Sequence, residues 1–70
     1  MSCFVHHMIR KGIFFELGVS ASEENAEDLE NKIASIVDLP GHKCDEVWAK
    51  VSIWLEDARL KETLKQKLLE

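Results

Sequence analysis

Residues 45–69 read DEVWAKVSIWLEDARLKETLKQKLL, and the way this stretch hides its apolar side chains decides the fold. Val47, Trp48, Val51, Trp54, Leu55 and Ala58 recur at helical spacing, and at about 100° per residue they gather on one side of a helix. Ile53, Leu60, Leu64 and Leu68 form a second stripe, turned from the first by something over roughly a third of a circle. One straight helix would therefore present two apolar faces. Either the helix breaks near Glu56-Asp57, with Asp57 capping a separate C-terminal helix, or it runs on and offers its second stripe to another chain. The pairs Asp57-Lys61 and Glu62-Gln66 stand at the i, i+4 spacing that supports a helix surface in both cases. No Gly or Pro occurs after Gly41, so the expectation is a continuous or gently kinked helix beginning near Asp45. Trp54, Leu60, Leu64 and Leu68 are then the candidate partner-binding residues. The competing reading folds these leucines back on the N-terminal segment as ordinary core.

Working outward, Ser20-Ala21-Ser22-Glu23 fits a capping box at the start of a preceding helix. Behind it Ala26, Leu29, Ile33, Ile36 and Val37 share one helical face, running to about Asp38. Leu39-Pro40-Gly41 stops the helix, because proline disfavours helical geometry in the residue before it and glycine accommodates a turn. The connection over 39–43 is short enough to make the two helices antiparallel neighbours. Further upstream, residues 3–11 read as a short helix with Phe4, Val5, Met8 and Ile9 inward, Gly12 as its left-handed cap and Ile13 making the next apolar contact. The rival is a β-hairpin pairing Cys3–Ile9 with Ile13–Val19, drawn from the β-branched and aromatic content of Ile13-Phe14-Phe15. In either form Phe4, Phe14 and Phe15 are expected in the core. The predicted architecture is mainly α, a single domain over 1–70. It is a small bundle of about three helices: a helical hairpin of 20–38 and 45–70 plus an N-terminal helix, or a β-hairpin packed on the helices.

A chain of 70 residues sits near the size at which folding buries only about 60% of the surface exposed by the unfolded chain, so its core is marginal. Such chains lean on disulfides, a metal, association or unusually good helix packing. Two cysteines, Cys3 and Cys44, allow at most one internal bridge, far below the density of a secreted disulfide scaffold. The first residues show no basic leader followed by a long apolar run, and no membrane-length apolar stretch follows. The expectation is a cytoplasmic protein. The net charge of −4 weakens a nucleic-acid reading, and Glu23, Glu24, Glu27, Asp28 and Glu30 crowd one segment opposed by Lys32. That cluster fits a solvated helix face with acids in its first turns.

Three chemistries compete with plain packing. Cys3, His6 or His7, His42 and Cys44 include the ligand types of a tetrahedral zinc site, and Cys3-x-x-His6 has a workable spacing. His42-x-Cys44 is tighter than usual, so the expectation is no metal and no cofactor, with Cys3, His6, His42 and Cys44 as the candidates should one exist. Cys44 near a helix start with His42 and Lys43 beside it could carry a lowered thiol pKa, but neighbours in sequence rarely have the geometry of a nucleophile and base. No catalytic residue is assigned. Phe15-Glu16-Leu17-Gly18-Val19-Ser20 resembles the turn of helix-turn-helix domains, which would imply DNA binding, yet the helix that follows is acidic where a phosphate backbone would lie. The expected function is therefore a small intracellular protein–protein interaction module, an adaptor, chaperone or regulatory subunit. It would self-associate through the long C-terminal helix as a homo-oligomer, or bind another protein, with no membrane partner. A helix-turn-helix-like regulator and a small zinc-binding domain are the alternatives.

Overall fold

The computed structural model describes residues 4–70, and within them the chain is a small all-helical bundle without strands. Five helices follow in order: α1 (Phe4–Arg10), α2 (Ile13–Leu17), α3 (Ala26–Ile36), α4 (Cys44–Glu56) and α5 (Ala58–Leu69). The N-terminal helix forms as its pattern predicts, with Phe4, Val5 and Met8 buried and Ile9 packed at the edge of the core. Gly12 follows it at φ 73°, a left-handed conformation that a side chain would strain. The hairpin alternative is not adopted. Ile13–Leu17 winds instead into one short helix, closed by Gly18 at φ 74°. There the Gly18 N–H donates to Phe15 O at 3.1 Å and the Val19 N–H to Phe14 O at 2.9 Å, the paired backbone bonds of a left-handed cap.

The capping box at Ser20 is not realised. The Asn25 side chain takes hold of the segment instead: its Nδ2 donates to Ser20 O at 2.9 Å and its Oδ1 accepts from the Ser22 N–H at 2.8 Å. Asn and Asp side chains compete with the helical ladder in this way, so α3 starts at Ala26 rather than near Ser20. Its buried face takes Ala26, Leu29, Ile33 and Val37 from the predicted repeat and adds Ala34, while Ile36 is left half-buried. The helix stops as expected, but on Asp38, which takes φ 66° while its N–H donates to Ser35 O at 3.1 Å and the Leu39 N–H to Ala34 O at 2.7 Å. An L-residue is disfavoured there and glycine is not. Asp38→Gly should raise the melting temperature by about 2–4 °C, the equivalent of roughly 0.5 kcal/mol in a chain of this size. An unchanged or lower melting temperature in a calorimetric scan would show that the aspartate is relaxed.

The expected continuous helix over 45–70 is corrected. Asp57 adopts extended φ −101° and ψ 119°, and its carboxylate accepts from the Arg59 and Leu60 N–H groups at 2.9 and 3.1 Å. The break answers the two-stripe problem without Gly or Pro. It lets α4 bury Val47 and Val51 while α5, turned to a new direction, buries Leu64 and Leu68. Ile53, grouped by periodicity with the α5 leucines, is on the wrong side of the break and stays 60% exposed.

The predicted pairing of the two main helices also changes. α3 packs chiefly on α1 and α5, and α4 chiefly on α5 and α1, while α3 and α4 meet near the start of α4, where Cys44 Sγ lies 3.7 Å from Glu30 Oε1. Lys32 of α3 fastens the junction: its Nζ donates to the Leu68 and Glu70 carbonyls at 3.3 and 3.0 Å, satisfying acceptors at the negative end of α5.

Candidate protein-docking surface

Leu64 is 0% exposed and Leu68 6%, so these two of the four expected contact residues are core and offer nothing to a partner. Trp54 and Leu60 are half-buried, with Trp54 packed against the core cluster. The contact expectation is thereby corrected for Leu64 and Leu68, and the apolar surface lies elsewhere.

It lies at the corner made by α2. Two left-handed glycines, Gly12 and Gly18, confine α2 to little more than a single turn. Adjacent residues on a helix point about 100° apart, so Phe14 and Phe15 cannot both face inward. Phe14 and Leu17, three apart, take the core side, and Phe15 is left 89% exposed, which overturns the expectation that all three phenylalanines are core. Beside that ring opens a cleft of about 300 Å³ lined by Ile9, Phe14, Phe15, Val19, Ser20 and Ala21. A knob and an apolar hollow thus stand side by side. Full burial of such a ring is worth about 1.5–3 kcal/mol, a gain open only to an incoming surface. Glu16, next to the ring, pairs with Lys61 of α5 with Nζ 3.5 Å from Oε1, an exposed and therefore weak link between α2 and the start of α5. The sequence signal for this site was present in the spacing of Gly12 and Gly18 around two consecutive phenylalanines.

A larger cleft of about 390 Å³ lies between α1 and the start of α4, lined by Phe4, His7, Arg10, Cys44, Asp45 and Trp48. Its aromatic floor is already engaged within the chain. The Phe4 and Trp48 rings stack with centroids 6.3 Å apart, and His7 meets Trp48 edge-on at 5.3 Å. Arg10 and Asp45 bring opposite charges to the same cleft, which gives it no single ligand preference.

Among the described residues the candidate metal ligands are not brought together. Cys3 lies outside the described residues. Cys44 is disulfide-bonded, which removes the thiolate that a zinc site or a nucleophile would need. Its Sγ approaches Glu30 Oε1 at 3.7 Å, a contact rather than a hydrogen bond, since a bridged sulfur has no proton to donate. His6 Nε2 stands 4.0 Å from Glu23 Oε1, and His42 Nδ1 lies 2.8 Å from Glu46 Oε2 one turn along. Among the described residues no three metal-ligating side chains come together.

Between α2 and α3 the connection covers 18–25, longer than the roughly 3–4-residue turn of a helix-turn-helix. Glu27 and Asp28 occupy the first turn of α3 and are exposed. Among the described residues no helix is long and apolar enough to cross a membrane. No protein family, curated protein or solved structure matches this chain.

Proposed function

We propose that this chain is a small protein–protein interaction module, an adaptor, chaperone or regulatory subunit that docks through the α2 corner. The observation that carries the reading is Phe15, 89% exposed beside an apolar cleft in a chain whose other phenylalanines are buried. Aromatic side chains seated in pockets anchor many protein interfaces, whereas singly scattered surface leucines carry no such signal. The reading is non-catalytic, in keeping with a bridged Cys44 and no thiolate at the start of α4. Its compartment turns on the same sulfur: low cysteine density fits the cytoplasm, and a lasting bridge fits an oxidising compartment. Mass spectrometry after alkylation in the native cell decides between them.

A photo-crosslinking phenylalanine analogue at position 15 keeps the ring and reports what touches it. The expected result is discrete crosslinked protein from position 15 and none from Gln66 on the exposed face of α5. Rebinding of the purified partner should then be lost in Phe15→Ser. Equal crosslinking from both positions, or rebinding indifferent to Phe15→Ser, would remove the reading.

A further inference from the structure

We propose that the disulfide at Cys44 is a reversible redox switch that sets the seat of α1 and, through α1, the docking corner at α2. The effect at the corner rests on the docking reading above, and the switch itself does not.

Access comes first. Cys44 opens α4 and is half-buried at the edge of the core rather than inside it. It lines the cleft between α1 and α4, and also a second hollow of about 270 Å³ that it shares with Glu30 and His42. A reducing thiolate can therefore approach this sulfur while the chain stays folded, and accessible bridges are the labile ones.

The reduced form also has a partner waiting. Glu30 Oε1 stands 3.7 Å from Cys44 Sγ, and a bridged sulfur gives it no proton. Once reduced, the thiol donates to that carboxylate, so opening the bridge gains a weak hydrogen bond that the closed form lacks.

Coupling runs through Phe4. This first residue of α1 shares both clefts with Cys44, and its ring stacks on Trp48, one turn along α4, with centroids 6.3 Å apart. At the other end of α1, Ile9 lines the cleft beside Phe15. A single short helix moves as a rod, so a shift at Phe4 is felt at Ile9 about 8 Å along its axis.

The step balances with a dithiol as reductant. Its thiolate attacks the bridge, the S–S bond at Cys44 breaks, and the mixed disulfide is displaced by the reductant's second thiol. The reductant leaves as its own disulfide, and its electron pair and protons pass to the sulfurs of the former bridge, which become thiols.

The native full chain, equilibrated in millimolar glutathione buffers of graded poise, alkylated and weighed, tests the switch. Both cysteines of the sequence should label without denaturant, reoxidation should protect them again, and Glu30→Ala should lower the equilibrium constant for reduction about 3-fold. Hydrogen exchange should be at least about tenfold faster across α1 in the reduced chain, beyond any change in α5. Crosslinking from position 15 should fall about tenfold on reduction and stay low in Cys44→Ser. A bridge that yields only in urea, a constant indifferent to Glu30→Ala, or a reduced chain whose α1 exchanges no faster relative to α5 overturns the switch. Release of α1 with unchanged crosslinking overturns its link to the corner. Release of α1 with no crosslinking in either redox state removes the docking reading and leaves the switch standing.

Discussion

Leu64→Ala should destabilise the chain by about 3 kcal/mol, and Leu64→Asp should leave it unfolded at room temperature. Leu64 is fully buried where α5 packs against α3 and α4, so truncation removes a large apolar contact and leaves a void that short helices can close only in part. Total stability for a chain of this length is of the order of 4–10 kcal/mol, and the loss is therefore a third of it or more. Ile53→Asp is the matched control. Periodicity assigns Ile53 to the same stripe, yet it is 60% exposed, and its replacement should change stability by no more than about 0.5 kcal/mol. Urea unfolding of the three variants separates the readings. If Leu64→Asp folds normally and alters only association, Leu64 belongs to an interface after all and the break at Asp57 is misplaced.

Cys44→Ser should cost about as much or more. Cys44 is disulfide-bonded, and Cys3 is the other cysteine of the sequence. A disulfide typically supplies about 2–4 kcal/mol, comparable with the whole stability of a domain this small. Reductant should act on the wild type as the substitution does, and should leave Cys44→Ser untouched. A melting temperature indifferent to both treatments would show that helix packing alone sustains the fold. The expected effect also bears on the remedy for marginal size. The apolar pattern points first to association, whereas a covalent link at Cys44 is already part of this structure.

Much of the site was legible only as a set of incompatibilities. Phe14 and Phe15 cannot share one face of a helix, and the stripes of 47–58 and 60–68 cannot share one side of a straight rod. Each conflict showed that something must yield without showing which residue. For α2 the answer follows from Phe14 and Leu17, whose spacing gives them the core side together. For the C-terminal stretch the answer is the Asp57 cap, which satisfies two N–H groups at the break and so lowers the penalty of interrupting a helix that lacks Gly and Pro.

What the sequence by itself determined is local: the helical class, the α1 face of Phe4, Val5 and Met8, the left-handed cap at Gly12, the inward face of α3 and its stop before Pro40. These follow from side-chain spacing and backbone sterics within a few residues, which act in any surroundings. Only the tertiary structure decided the partner of each face: that α3 packs chiefly on α5 and α1, that Leu64 and Leu68 go inward, and that Phe15 remains outside. Spacing says which side chains look the same way. Which surface they meet depends on how all the helices can close around one shared interior, and in so short a chain there is room to cover one stripe and leave another in water.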